Sequence, residues 1–147
     1  GRSLHKVFEQ VEWVDDTTLA RLALLRETMP EAVDEVARCL ANKALAKRLA
    51  KPEGDVHLWR ERAFDLVVEN EFISGVFDRV HVYANRAEII DFKSDRVSDE
   101  ASLKQAAEKY GPQMATYRQA LAKLTGLAES AIGCSLLFTH PRRVIEV

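Results

Sequence analysis

Residues 75–80 read Gly-Val-Phe-Asp-Arg-Val, and residues 89–95 read Ile-Ile-Asp-Phe-Lys-Ser-Asp. Both segments are rich in residues that favour β-strands, yet they carry Asp78, Asp91 and Lys93. Burying an unpaired charge is unfavourable, so charged residues inside apolar strands need a partner or a function. Two carboxylates followed by a lysine are the groups that hold a divalent cation beside a phosphate. The two segments therefore predict a strand pair and a candidate site upon it.

A hairpin between these strands would bring the charged residues together. A turn at Ala84-Asn85 sets Val80 opposite Ile89, and the same register sets Asp78 opposite Asp91. Directly opposed residues have Cβ atoms roughly 5 Å apart, and two carboxylates that close repel unless a cation or proton lies between them. Mg²⁺, with its octahedral oxygen ligands, would relieve that repulsion. Lys93 shares a face with Asp91 and would stabilise charge developing on a phosphoryl group.

The residues alone leave a second interpretation open. Lys93 also fits a plain cross-strand ion pair with Asp78 or Asp91 on a solvated sheet face. A shift of one residue in the turn would send one aspartate to the wrong face. Arg79 should point away from the face of Asp78, so we assign it no catalytic role.

The rest of the chain predicts one α/β domain over residues 1–147, with a mixed central β-sheet flanked by helices. Apolar residues at helical spacing, capping residues and prolines predict helices over 2–12, 17–28, 31–50, about 100–110 and 111–124. Runs rich in Val, Ile and Phe predict strands over 57–67, 70–83, 87–94, 131–139 and 143–147. The first three strands should form an antiparallel meander.

Composition excludes several classes of protein. The net charge of −2 indicates no nucleic-acid partner by itself, and Cys39 and Cys134 lie too far apart for a cysteine-based zinc site. No GxxxxGK[ST] motif occurs, so this chain is not itself an ATP-driven motor. No apolar run is long enough to form a transmembrane helix. The two separated cysteines indicate reduced thiols, so we expect a cytoplasmic protein. The abrupt helical start predicts a C-terminal fragment of a longer chain.

A basic run over residues 38–51 contains five Lys or Arg residues and no acid. It would follow a phosphate backbone, form a solvated helix face, or dock another domain.

Five short motifs in order resemble the RecB-type nuclease domain of the PD-(D/E)XK superfamily, above all the C-terminal nuclease domain of AddA-like, UvrD/Rep-type helicase–nucleases. They are Gly1-x-x-x-His5, Glu61-x-x-Phe64, Gly75-x-x-Asp78, Asp91-x-Lys93 and Gln113-x-x-x-Tyr117. Each motif is weak alone, but their order and spacing form a strong signal. The chain has Asp rather than Glu two residues before the lysine, which is ordinary for the RecB type.

The resemblance implies a role for each matching residue. The Mg²⁺ ligands would be His5, Asp78, Asp91 and the backbone carbonyl of Phe92, with Mn²⁺ able to substitute. Lys93 would be the catalytic lysine, while Gln113 and Tyr117 would contact DNA or orient the metal ligands. His5 gains this role only from the resemblance, because a lone helix histidine is usually an ordinary boundary residue.

The implied function is hydrolysis of DNA phosphodiester bonds, coupled to upstream helicase motor domains and a second subunit in recombinational repair of double-strand ends. Two alternatives are a catalytically inactive module for DNA docking or subunit interaction, and a free-standing endonuclease or junction resolvase.

Overall fold

A computed structural model of the protein describes residues 2–147. Gly1, the first residue of the first motif, lies outside the described residues. The helices are α1 (Arg2–Glu9), α2 (Thr18–Ala23), α3 (Pro30–Ala41), α4 (Lys43–Leu49), α5 (Glu100–Lys109) and α6 (Gly111–Thr125), and a short 3₁₀ helix spans Glu129–Ala131. The strands are β1 (His57–Val68), β2 (Glu71–Val82), β3 (Ala87–Lys93), β4 (Ile132–Phe138) and β5 (Arg143–Glu146).

One five-stranded sheet in the order β1-β2-β3-β4-β5 organises the molecule. The first three strands form the expected antiparallel meander, β4 joins β3 in parallel, and β5 returns antiparallel. The predicted mixed sheet flanked by helices is therefore confirmed. The predicted hairpin register is also confirmed, since Val80 pairs with Ile89 and Val82 with Ala87.

Helices cover both faces of the sheet, because alternate residues of its central strands are apolar on both sides. On one face Ile90, Phe92 and Leu137 pack against α1 to α4. On the other face Ile89 and Leu136 pack against α5 and α6. The central strand β3 is thus buried on both sides, which places Asp91 inside the molecule.

The predicted helix over 31–50 is wrong as a single element. It breaks at Asn42, whose backbone is extended and whose side-chain oxygen accepts hydrogen bonds from the amides of Ala44 and Leu45. This is an N-cap, and it starts α4 in a new direction. Apolar periodicity continued through the break and hid it. The first two helices are also shorter than predicted, ending at Glu9 and Ala23.

Within residues 2–147, no helix has the length and apolar character needed to cross a membrane.

Candidate active site

Four elements converge on a cleft of about 320 Å³ at one end of the β2–β3 pair. Helix α1 contributes His5, β2 contributes Asp78, β3 contributes Asp91 and Lys93, and α6 lies across the opening. The cleft is also lined by Val76, Phe92, Ser94, Asp95, Tyr110, Gln113 and Tyr117. All seven residues predicted for the site therefore line one cleft.

Asp78 and Asp91 are both buried, with 9% and 4% of their surface exposed. The paired ladder ends at Arg79–Ile90, and the same register extended by one residue sets the two aspartates opposite each other. There the backbone amide of Phe92 donates to Asp78 Oδ2 at 2.9 Å. Burial raises the pKa of Asp91 well above its usual value, and the charge of Asp78 raises it further, while Lys93 opposes the rise. The pair thus carries the repulsion expected from the sequence.

His5 reaches the cleft from α1, with its Nε2 at 3.1 Å from Asp78 Oδ2. Two contacts fix this helix on the sheet. Phe8 stacks on Phe92 with ring centroids 3.9 Å apart, and each buried aromatic side chain stabilises such packing by about 1.5–3 kcal/mol. Arg79 donates to the carbonyls of Val11 and Glu12 just after the helix.

Arg79 points away from the cleft, as expected, and anchors the segment after α1. The sheet is therefore attached to α1 on the face opposite Lys93.

Lys93 has three neighbours that restrain its ammonium group. Its Nζ lies 2.7 Å from Asp91 Oδ2, 2.9 Å from Gln113 Oε1 and 3.9 Å from the centre of the Tyr110 ring. The ion pair with Asp91 is the contact that the second interpretation expected. That interpretation also placed the ion pair on a solvated sheet face, which is wrong because both aspartates are buried beneath the helices.

Gln113 and Tyr117 occupy successive turns of α6, where their side chains are hydrogen-bonded to each other and each also contacts another part of the site. Gln113 Oε1 accepts a hydrogen bond from Lys93. The Tyr117 hydroxyl is hydrogen-bonded to the backbone amide of Val76, two residues before Asp78. Burial raises the pKa of Tyr117, and the charge of Asp91 adds to the rise. The Tyr117 ring packs edge-on against Phe64 and Phe77. Tyr117 is thus a buried support of the β2 backbone in this structure.

Gly75 makes that support possible. A Cβ at this position would lie 2.8 Å from the Phe64 ring and 2.9 Å from the Tyr117 ring. The glycine that opens the Gly75-x-x-Asp78 motif is therefore explained by the close approach of two aromatic rings to the strand.

Glu61 is a neighbour of the site that the sequence analysis quoted in a motif but gave no role. It lies in β1 at a left-handed φ of 45°, and the ladder register sets it level with Asp78. Burial raises its pKa, the charge of Asp78 raises it further, and His5 lowers it. A third acidic side chain thus interacts with the Asp78–His5 pair, and only its place in the Glu61-x-x-Phe64 motif indicated it.

Tyr110 and Asp95 were also given no role in the site by the sequence analysis. The Tyr110 hydroxyl donates to Asp95 at 2.9 Å, and its ring lies beside Lys93. The Tyr110 ring also packs against Phe138. No sequence rule pairs Asp95 with a tyrosine fifteen residues later.

Within the basic run of 38–51, one member has a fixed structural contact. Arg48 pairs with Glu88 and with Glu146 and reaches Ser135 at 3.0 Å, joining α4 to the sheet. Lys43, Lys47 and Lys51 are exposed to solvent.

The donor atoms of the cleft suit a hard divalent cation. They comprise two carboxylates on adjacent strands, a histidine nitrogen beside one of them, and a nearby backbone carbonyl, and Mg²⁺ and Mn²⁺ favour such oxygen-rich sets. Across residues 2–147 no three His, Cys, Asp or Glu side chains are already arranged as a metal-binding group. Asp78 Oδ2 instead accepts hydrogen bonds from His5 Nε2 and from the backbone amide of Phe92. The donor atoms therefore suit the cation chemically, and in this structure they are hydrogen-bonded within the protein.

A mixed sheet with paired aspartates and a following lysine in one cleft defines a class of nuclease. The profile of the PD-(D/E)XK nuclease superfamily matches residues 1–146, and the chain belongs to this superfamily.

Two curated relatives each carry the name of one component of an ATP-dependent helicase/nuclease. The chain is 34% identical over 78 residues to that of Limosilactobacillus fermentum, covering 51% of this chain and 6% of the relative. It is 27% identical over 140 residues to that of Streptococcus equi subsp. zooepidemicus, covering 87% of this chain and 11% of the relative. The chain thus spans about a tenth or less of the length of these relatives.

Proposed function

We propose that this chain is a Mg²⁺-dependent nuclease domain that hydrolyses phosphodiester bonds of DNA. The observation that carries the proposal is the buried Asp78–Asp91 pair with Lys93 held beside it in an open cleft. Buried like charges are unfavourable unless a cation or a proton compensates them, and such perturbed groups concentrate at functional sites.

Each residue has a chemical task in this proposal. Asp78, Asp91, His5 and the carbonyl of Phe92 would hold the metal ion. When bound, the metal would lower the pKa of a water molecule and offset charge on the scissile phosphate. The Lys93 ammonium would stabilise the extra negative charge of the transition state, since it is a compact cation in a partly dehydrated site. Gln113 would keep that ammonium directed into the cleft.

The relatives support a wider proposal about the whole protein. Their names join a helicase to a nuclease, and they are far longer than this chain. We therefore propose that the 147 residues are one domain of a longer cytoplasmic helicase–nuclease. Its motor domains would precede this domain, a second subunit would accompany it, and the complex would process DNA double-strand ends for recombinational repair.

The test is cleavage of linear DNA by the complete polypeptide that carries this domain. Asp91→Ala and Lys93→Ala should each lower Mg²⁺-dependent cleavage by about a hundredfold to a thousandfold, the scale of removing a transition-state charge contact in a buried site. Lys123→Ala, an exposed lysine of α6, is the matched control and should cleave normally. ATP hydrolysis should be unchanged in all three variants, because the motor lies elsewhere.

Normal cleavage by Asp91→Ala or Lys93→Ala would exclude the proposal. A wild-type protein that never cleaves DNA but binds it would favour the inactive docking module instead. A crystal soaked in Mn²⁺ gives an independent measurement. We expect anomalous density between His5, Asp78 and Asp91, and none in Asp91→Ala.

A further inference from the structure

We propose that Tyr110 and Asp95 form a positioning pair that holds Lys93 through the face of the tyrosine ring. The inference rests on the proposed function, in which Lys93 acts on the scissile phosphate. It concerns two residues to which neither the site motifs nor the comparisons assign a role.

The geometry of the ring contact carries the inference. Lys93 Nζ lies 3.9 Å from the centre of the Tyr110 ring, well inside the distance of about 6 Å at which an ammonium is attracted to an aromatic face. Lys93 is also mostly buried, with 13% of its side chain exposed. Cation–ring attraction is stronger where water is excluded.

Asp95 strengthens and fixes this ring. Both carboxylate oxygens of Asp95 lie within hydrogen-bond distance of the Tyr110 hydroxyl, at 2.9 and 3.1 Å. A phenol that donates to a carboxylate gains electron density, which makes the ring face more attractive to a cation. Lys109 Nζ lies 3.4 Å from the same carboxylate and 4.8 Å from the ring, so Asp95 contacts both the tyrosine and a second ammonium group near it.

A ring is a useful partner for a lysine that must act by its charge. A second carboxylate would hold the ammonium equally well, but it would neutralise the charge that a phosphate needs. The Tyr110 ring is uncharged and accepts no conventional hydrogen bond from the ammonium. With one N–H directed to Asp91 and one to Gln113, the third donor of Lys93 stays available.

The position of Tyr110 in the chain makes the contact rigid. Tyr110 is the junction residue between α5 and α6, where it ends the first helix and precedes the Gly111-Pro112 start of the second. Its side chain packs beside Phe138. The ring therefore lies on two helices and a strand, a suitable support for a long flexible side chain.

The first test measures cleavage kinetics in the complete polypeptide. Tyr110→Leu should lower kcat by about tenfold with little change in KM, because the ring acts on the transition-state contact and not on DNA binding. Tyr110→Phe keeps the ring and should lose about threefold or less. Tyr83→Leu is the matched control, since it removes a comparable ring contact with Arg86 at 3.7 Å in the β2–β3 turn, and its kinetics should equal those of the wild type.

A series of fluorinated phenylalanines at position 110 separates electrostatics from packing. Added fluorine weakens the negative ring face while the shape of the ring changes little. We expect the logarithm of kcat to fall steadily with each fluorine, whereas a packing role predicts a flat series. The double variant with Asp95→Asn and Tyr110→Phe should have a kcat no lower than that of either single variant, because both changes remove the same hydrogen bond.

A spectroscopic measurement tests the contact without activity. In this chain labelled at lysine Cε, the Lys93 methylene protons should show an upfield ring-current shift that Tyr110→Leu abolishes and Tyr110→Phe preserves. Absence of that shift, or a flat fluorine series while Lys93→Ala is inactive, would overturn the inference alone. Full activity of Lys93→Ala would instead overturn the proposed function.

Discussion

Asp78 connects residues from several elements of the fold. Its Oδ2 accepts hydrogen bonds from His5 Nε2 of α1 at 3.1 Å and from the Phe92 amide of β3 at 2.9 Å. Its charge raises the pKa values of Asp91 and Glu61. A single buried carboxylate thereby links three strands and a helix. Its position in β2 in turn depends on a glycine and an aromatic ring beneath the same strand.

Gly75→Ala should destabilise the protein and impair cleavage together. The added methyl group would lie 2.8 Å from the Phe64 ring and 2.9 Å from the Tyr117 ring, so one ring must move. Overpacking of this kind costs about 1–3 kcal/mol, and displacement of Tyr117 would release the backbone that leads to Asp78.

Urea unfolding and DNA cleavage provide the measurements. Gly133→Ala is the matched control, because no atom lies within 4 Å of its Cβ position in β4. Equal unfolding free energies for the two alanine variants would contradict the steric explanation.

Substitutions of Glu61 should affect the stability of the protein and its cleavage activity in different ways. Its left-handed backbone, at φ 45°, is unfavourable for any residue with a Cβ by about 1–2 kcal/mol. Glu61→Gly should therefore be more stable than Glu61→Ala by about 1 kcal/mol, while both lose cleavage activity with the carboxylate.

Arg142, at φ 55° on an exposed turn, offers the comparison. Arg142→Gly should gain stability over Arg142→Ala in the same way, with cleavage unchanged in both. Full activity of Glu61→Gly would show that the carboxylate has no part in the site.

The secondary-structure elements show how far the sequence determines this fold. Alternating apolar residues and a short turn were enough to predict β2, β3 and their register, because the side-chain period of a strand leaves little freedom. The same reasoning failed at Asn42, since helical periodicity does not report a change of direction when one capped helix follows another. Local patterns thus predicted elements better than their junctions.

The site could be predicted only where its residues lie in motifs. Asp78, Asp91 and Lys93 were found because charge is rare inside strands. The approach of His5 from α1 and of Gln113 from α6 depends on how helices pack on opposite faces of the sheet, which spacing does not encode. The ring beneath Lys93 was missed for the same reason, because Asp95 and Tyr110 are joined by a hydrogen bond across a loop and a helix.

The molecule as a whole depends on a buried polar cluster on the face opposite Lys93. Arg79, with 1% of its surface exposed, donates to two carbonyls after α1 and to His81 Nε2 at 2.8 Å. The rings of Trp13 and His81 lie 4.9 Å apart beside it. Burial lowers the pKa of Arg79 to about 9, so its guanidinium remains charged at neutral pH. The cluster joins the helical half of the protein to the sheet.

His81 should make the stability of this junction depend on pH. Burial and, secondly, the charge of Arg79 together lower its pKa to about 3, against 6.5 for an ordinary histidine. His81 therefore binds a proton near pH 6.5 in the unfolded chain, whereas in the folded protein it binds one only near pH 3. The stability provided by the neutral ring is present above pH 6.5 and is lost as pH falls, by up to about 1.4 kcal/mol per pH unit.

His81→Gln should reduce this dependence, because a glutamine oxygen can still accept from Arg79 Nε but binds no proton in either state. Urea unfolding of both proteins between about pH 8 and pH 4 provides the measurement, and the wild type should lose up to about 3.4 kcal/mol more than the variant over that range. His140→Gln, at an exposed turn position, should follow the wild-type curve. Parallel curves for the wild type and His81→Gln would mean that His81 has the same pKa in the folded and unfolded protein, and would contradict this prediction.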